Sequence, residues 1–182
     1  MDEREIVSRV LAGETDAYSE IVRKYQPQLF GVVQHILGKR GGAEDIVQEA
    51  FIRFYRNLAN FRWESGVGTY LTRIAINLAY NEIRRKSRWL RVFSREDDQV
   101  HNISGENKTG YDDTAEIIQR AISRLPEDFQ KVVILRLIEG YSVKETAEIL
   151  DIPVGTVLSR LKRAQEKLKN KLAPILEERY EN

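Results

Sequence analysis

The chain has no cysteine and a single methionine among its 182 residues. Without thiols there is no disulfide framework, thiolate zinc site, iron–sulfur cluster or cysteine nucleophile, a usage that fits a reducing compartment. Imidazole is almost as scarce. Only His35 and His101 carry it, too few for a His-rich metal centre, so neither a metal nor a cofactor is expected. Long apolar runs are missing too: Val132-Val133-Ile134-Leu135 falls far short of the roughly 20 residues of a membrane helix. The start, Met1-Asp2-Glu3-Arg4-Glu5, lacks the basic and then apolar pattern of a signal peptide. A cytoplasmic location without membrane insertion is the expectation.

Net charge is nearly absent as a bulk property, with Lys+Arg 29 against Asp+Glu 28. Its distribution is not even. Arg73 to Arg91 carries a net +5, Arg160 to Lys171 another +5, and the rest of the chain −9. Two separated basic segments on an otherwise acidic chain suit a two-point contact with a polyanion beside an acidic surface for a basic partner. Solvated helix faces account for such runs equally well when taken alone.

What is present is helical periodicity, punctuated by four prolines, Pro27, Pro126, Pro153 and Pro174, where helices begin, bend or end. Ala43 to Leu58 repeats Ile46, Val47, Ala50, Phe51, Phe54, Tyr55 and Leu58 as a broad apolar stripe. Strand-type alternation is not sustained anywhere, so the fold class is all-α. Between Phe93 and Asp113 polar and small residues dominate, which marks a linker. The expected organisation is two small helical domains, 1–92 and 114–182, joined by a flexible linker at 93–113.

In the carboxy-terminal half, Leu125-Pro126-Glu127-Asp128 opens a helix that Gly140 ends. Ser142-Val143-Lys144-Glu145 then has the capping-box pattern, and Asp151-Ile152-Pro153 turns the chain into a longer basic helix. This is a helix-turn-helix arrangement, whose second helix enters a DNA major groove. Val157, Leu161, Ala164, Leu168 and Leu172 commit one stripe of that helix to the core. The opposite face carries Gly155, Ser159, Lys162, Arg163 and Glu166, with Leu158 on its flank.

The amino-terminal half has its own candidate face. From Thr69 to Arg88, Leu71, Ile74, Ala75 and Leu78 form an apolar side, while Arg73, Asn77, Tyr80, Asn81, Arg84 and Arg88 recur on another. Arg suits phosphate, Asn a base edge and Tyr an unpaired base, a mixture for opening a duplex as well as holding it. The preceding Phe61-Arg62-Trp63-Glu64-Ser65-Gly66-Val67-Gly68 is a loop that could take up an extruded base, although aromatics beside a helix start more often plug a core.

Four segments in order carry a resemblance: Gly42 to Phe51, Phe61 to Asn77, Leu125-Pro126-Glu127, and Val154 to Ala164. Together they resemble the successive signatures of bacterial extracytoplasmic-function sigma factors, members of the sigma-70 family. The resemblance implies a dissociable transcription-initiation subunit with regions 2 and 4 and no catalytic residue, hence not an enzyme. It implies that Asp45, Gln48 and Glu49 dock on the clamp helices of the largest subunit of core RNA polymerase. Phe61, Trp63, Arg73, Asn77, Tyr80, Asn81, Arg84, Arg85 and Arg88 would read and melt the −10 promoter element. Arg136, Ser142, Lys144, Thr156, Leu158, Ser159, Arg160, Lys162 and Arg163 would read the −35 element. Further implied partners are promoter DNA, the flap of the second-largest subunit and an anti-sigma factor, which could hold the protein at the membrane; the regulon would answer stress or envelope signals.

Three positions depart from the family pattern. Leu158 and Gln165 stand where many relatives have Arg, and Trp63 stands where a smaller residue is common, so base preference stays open at both elements. Two other function classes fit the sequence less well. A serine recombinase needs a serine nucleophile on an α/β domain, and the amino-terminal half has no strand–helix alternation. A dimeric helix-turn-helix repressor needs one dominant basic face and an apolar dimer helix, whereas two basic segments are present here.

Overall fold

Capping sets the first helix. In the computed structural model, which describes residues 2–93 and 112–180, helix α1 (Glu3–Leu11) starts at Asp2, whose carboxylate accepts the Arg4 backbone N–H. Glu3 and Glu5 occupy its first turn, where the helix dipole favours them. Gly13, at φ +104, supplies the backbone conformation that lets the chain reverse through a 3-10 turn at Thr15–Ala17 into α2 (Tyr18–Leu37). Pro27 lies inside α2 and Pro174 inside α8, so neither ends its helix; each removes one backbone donor from the ladder.

Helices α3 (Ala43–Arg56) and α4 (Val67–Phe93) pack with α2. The stripe on α3 is narrower than the sequence pattern suggests: Val47, Ala50, Phe51 and Phe54 are buried, Ile46 is half-buried and Tyr55 is 41% exposed. At about 100° per residue, Ile46 and Tyr55 stand at the two edges of the apolar arc, beyond the reach of one contact surface. Gly68 permits the start of α4 to touch α2, since a Cβ there would sit 2.6 Å from the Tyr25 ring. Beneath that contact Glu3 meets Lys24 at 2.6 Å and accepts the Tyr25 hydroxyl. Burial would raise the Glu3 carboxyl, but these donors hold it below the usual range.

The second set comprises α5 (Asp112–Ser123), α6 (Glu127–Val133), which runs on through a π turn at Ile134–Ile138, α7 (Val143–Leu150) and α8 (Val154–Tyr180). Ser142 and Glu145 form the expected capping box, with Glu145 N–H bonding the Ser142 hydroxyl at 3.1 Å and Ser142 N–H bonding the Glu145 carboxylate at 2.7 Å. Asp151, left-handed at φ +54, turns α7 into α8, a conformation that Asp tolerates better than most residues. Among the described residues every regular element is helical, so the protein is all-α. The linker expected at 93–113 lies almost wholly outside the described residues.

The two sets share a core. Buried side chains of α2, α3 and α4 form one cluster with Ile122, Leu125, Val133, Ile134, Leu135, Ile149 and Ala164 of the second set. A small separate cluster of Val132, Ala147 and Val157 holds the helix-turn-helix together. Helix α4 is therefore covered on two sides: Leu71, Ala75 and Leu78 are buried, and so are Thr72, Ile76 and Tyr80, which share a second face at i, i+4 and i+8.

Candidate functional site

Three surfaces carry the residues singled out above. On α3, Asp45 and Gln48 are exposed and Glu49 is half-buried, bonded to Arg53 at 2.7 Å one turn on. They stand outside the arc that α3 commits to the core, as helical spacing requires. Beside them runs a groove of about 710 Å³ between α2 and α3, lined by Phe30, Val47, Ile52 and Tyr55 together with Glu44 and Gln48. An apolar floor edged by Glu44, Gln48 and Arg56 suits an amphipathic helical partner.

The second surface is on α4 and the loop before it. Asn77, Asn81, Arg84, Arg85 and Arg88 are exposed, and Arg85 pairs with Glu82 at 2.9 Å. Two expected members behave differently. Tyr80 is buried, not presented on the stripe: its hydroxyl donates to Gln130 Oε1 at 3.2 Å, and the Lys131 ammonium lies 4.8 Å from its ring centre. Burial, with the Glu127 and Asp128 carboxylates nearby, pushes its phenol pKa up, so it remains a donor. Arg73 is half-buried and donates to the carbonyls of Glu148 at 2.6 Å and Ile149 at 3.2 Å, at the end of α7.

In the loop, Phe61 packs on Phe54, Tyr70 and Trp63, with ring centres 5.3, 5.2 and 4.8 Å apart. Trp63 is half-buried, takes a left-handed backbone at φ +58 and is covered by the Arg4 guanidinium 4.8 Å from its ring. A bulky residue at positive φ is strained, and the tilted contact with Phe61 and the Arg4 guanidinium over the indole help hold it there. Trp63 and Phe61 thus serve as packing for the loop in this arrangement, the commoner reading of aromatics at a helix start. Beside them a polar cavity of about 430 Å³ is lined by Asn57, Phe61, Tyr70 and Arg73 from the first set and by Glu148 and Asp151 from the second.

The third surface is the helix-turn-helix. On α8, Leu158 is 50% exposed, and Ser159, Lys162 and Arg163 are exposed with it. Thr156 is half-buried and its carbonyl accepts the Ser159 hydroxyl at 3.1 Å. Arg160 is tied to Asp128 at 2.7 Å. Lys144 is exposed on α7, whereas the Ser142 hydroxyl serves as the helix cap. Arg136 departs from the expected DNA-facing role: its Nη1 donates to the Tyr141 carbonyl, and its buried Nε has no hydrogen-bond partner among the described residues. Its place in the π turn draws the guanidinium inward, so it fixes the approach to α7 from inside.

Several site-shaping residues carry no local sequence signal. His35 Nδ1 lies 2.7 Å from Glu139 Oε1 and 2.8 Å from the Gly31 carbonyl. Thr72 and Tyr141 share a hydroxyl bond at 3.2 Å, and Gln119 donates to the His35 carbonyl at 2.6 Å. Gln130 spends its amide N–H groups on the Ser123 and Leu125 carbonyls, leaving its oxygen for Tyr80. Partners up to 104 residues apart leave no periodicity to read.

Comparison with known proteins follows the same division. The profile of sigma-70 region 2 matches residues 21–88, and that of sigma-70 region 4 matches residues 115–168. The ECF RNA polymerase sigma-E factor of Haemophilus influenzae is 34% identical over 97% of this chain and 98% of its own. The ECF RNA polymerase sigma-E factor of Escherichia coli K12 is 37% identical over 94% of each. Among solved structures, CnrH in complex with the cytosolic domain of CnrY matches with a TM-score of 0.69 at 21% identity, over 94% of this chain and 97% of that one. The sigma factor RpoE in complex with the anti-sigma factor NepR from Bartonella quintana matches with a TM-score of 0.64 at 21% identity, over 86% and 96%. At that identity the two structures speak to the fold.

Proposed function

The chain belongs to the sigma-70 family, in its extracytoplasmic-function branch, and is an RNA polymerase sigma factor that directs core polymerase to promoters; on that premise we propose how its surfaces divide the work of starting transcription. Residues 1–92 act as region 2, 114–182 as region 4, and 93–113 as the link between them. Asp45, Gln48 and Glu49 dock on the clamp helices of the largest polymerase subunit. The exposure of Asp45 and Gln48 beside the α2–α3 groove supports this, because the groove offers a helical partner apolar area and Asp45 adds negative charge at its side.

Melting is assigned to α4 and its loop. Arg73, Arg84, Arg85 and Arg88 hold phosphates, while Asn77 and Asn81 meet the edges of bases pulled from the stack. Phe61, Trp63 and Tyr80 support that surface from beneath. Duplex opening needs no covalent step, so the reading assigns no catalysis, metal or cofactor to this chain. It requires binding energy to offset unstacking of a few kcal/mol per step.

Reading of the −35 element is assigned to α8. Lys162 and Arg163 supply cationic donors, Thr156 and Ser159 hydroxyls, and Leu158 an apolar contact suited to a thymine methyl. Lys144 and Arg160 take phosphates, while Ser142 and Arg136 set the geometry of the turn. Region 4 also meets the flap of the second-largest subunit. An anti-sigma factor restrains the protein in the cytoplasm or at the membrane, and the regulon answers stress or envelope signals. No helix among the described residues is long and apolar enough to cross a membrane, so membrane restraint would come through such a partner.

The observation that carries the reading is the collinear match of both sigma regions to the two helical sets, the second bearing a helix-turn-helix with its outer face exposed. Purified chain added to core polymerase should form a holoenzyme that starts transcription at a defined set of promoters, mapped genome-wide. Absence of any complex with core removes the reading.

A further inference from the structure

The loop that leads into α4 is clasped by the first turn of α1. Arg4 lies over the Trp63 indole, 4.8 Å from its ring centre, and the same ring meets Phe61 at 4.8 Å. One residue earlier, Glu3 pairs with Lys24 at 2.6 Å and accepts the Tyr25 hydroxyl. Tyr25 in turn packs where Gly68 leaves room on the first turn of α4. Burial works against the charged form of Glu3, but Lys24, Tyr25 and the Val67 backbone N–H hold its carboxyl below the usual range. Val67 is the first residue of α4, so adjacent side chains of α1 grip the loop at its middle and at its far end.

We propose that Arg4 is a positioning residue for base recognition: by holding Trp63 against α1 it fixes the backbone that aims Arg62, Glu64 and Ser65 into the polar cavity beside the loop. This rests on the assignment of the loop to the −10 element and adds what sets its specificity. Those three residues line the cavity with Asn57 and Phe61, whereas Trp63, which stands among them in sequence, packs on Phe61 and Arg4 instead. The Arg62 guanidinium can only donate, the Glu64 carboxylate can only accept, and the Ser65 hydroxyl can do either. Unpaired bases are told apart by where donors and acceptors meet their edges, so the placement of these side chains decides which base fits.

The loop needs such a hold. Trp63 sits at φ +58, a left-handed backbone that a bulky side chain keeps only when its surroundings support it. Phe61 supplies one contact and is itself locked against Phe54 and Tyr70. Arg4 supplies the other, and because a cation is drawn to the face of the ring, the contact fixes where the indole stands. The place of Arg4 is set in turn by Asp2, whose carboxylate accepts its backbone N–H at 3.3 Å, and by the anchored Glu3. A glycine at position 63 would adopt the same backbone unaided.

The hold can be read in the free chain. Trp63 and Trp89 are the only tryptophans, so Trp89→Phe leaves Trp63 as the sole indole reporter. In that chain Arg4→Ala should shift the emission to the red and raise its quenching by acrylamide. Arg4→Lys keeps a cation over the ring and should restore both toward the parent values. Arg4 is exposed, so helical circular dichroism should be retained in each variant.

The specificity arm uses holoenzyme on pre-melted promoter bubbles that differ by one base at a time across the −10 element. Arg4→Ala should lower the discrimination between best and worst base at one position by about two- to fivefold, the worth of one exposed cation–π contact, with core binding unchanged. Arg4→Lys should recover most of that loss. In a Trp63→Gly background nothing remains for Arg4 to hold, so Arg4→Ala should change nothing further. The same loss in that background overturns the proposal, because Arg4 would then be touching DNA or polymerase directly. A discriminating holoenzyme that Arg4→Ala leaves unaltered overturns it too. The quenching arm contains neither DNA nor polymerase, so a wild type without any −10 preference, in which Arg4→Ala still frees Trp63, would instead overturn the assignment of the loop to the −10 element.

Discussion

At the scale of single residues, the two DNA faces make different predictions. Arg163→Ala should weaken −35 engagement by about 1–3 kcal/mol and relax preference at one upstream base pair, since a lost base contact removes discrimination with affinity. Footprinting on a set of singly substituted promoters reads both effects. Asn77→Ala should leave closed complexes intact but impair opening, and a pre-melted mismatch bubble should restore much of the activity because the unstacking cost has been met. Equal defects on duplex and bubble templates would withdraw the melting role from Asn77. A third residue concerns stability alone. The Thr146 hydroxyl is fully buried with no hydrogen-bond partner among the described residues, so Thr146→Val, nearly equal in shape, should stabilise the fold by about 1 kcal/mol. A lowered midpoint in thermal denaturation would mean that water or a partner satisfies that group.

At the scale of elements, α7 depends on its cap. Ser142→Ala removes the hydroxyl that accepts the Glu145 N–H and should cost about 1 kcal/mol, seen as a lower urea midpoint. The cap is pH-dependent with a definite sign. Bonds from the Ser142 side chain and backbone hold the Glu145 carboxyl below its usual range, against a small effect of burial. A depressed carboxyl pKa contributes stability above the unfolded value, which is lost as pH falls through the folded one. The difference between wild type and Ser142→Ala should therefore be largest near neutrality and narrow below about pH 4; a difference that grows in acid would contradict the cap. In α3 the deciding feature is the buried arc. Phe54, fully buried among Phe61, Tyr70 and Tyr18, should cost about 3–5 kcal/mol as Phe54→Ala through the cavity left behind.

At the scale of the whole molecule, function requires surfaces that stability does not use. Asp45→Ala with Glu49→Ala should weaken core polymerase binding in a titrated pull-down while shifting stability by only about 0.5 kcal/mol, because both residues lie off the buried arc. Undiminished binding would move the docking surface elsewhere on α2 and α3. The same separation explains the domain arrangement. Region 2 and region 4 share one cluster of buried side chains, yet the bonds across their contact are mostly single hydrogen bonds between partly buried groups.

The sequence by itself determined what is decided within a few residues. The apolar arc of α3, the capping box at Ser142, the turn at Asp151 and the outward face of α8 all follow from i, i+3 and i+4 neighbours and from backbone preferences that each residue carries with it. The exposure of Asp45 and Gln48 is part of that local geometry. Tertiary structure decided the rest. Periodicity placed Tyr80 and Arg73 on an open stripe, and both were claimed by groups 50 to 76 residues away, on Gln130, Glu148 and Ile149. Arg136 was drawn inward by Tyr141, and His35 found Glu139 across the interface. Helical spacing says which side chains share a face of one helix. Only the docking of a second body on that face decides which of them water, or DNA, can reach.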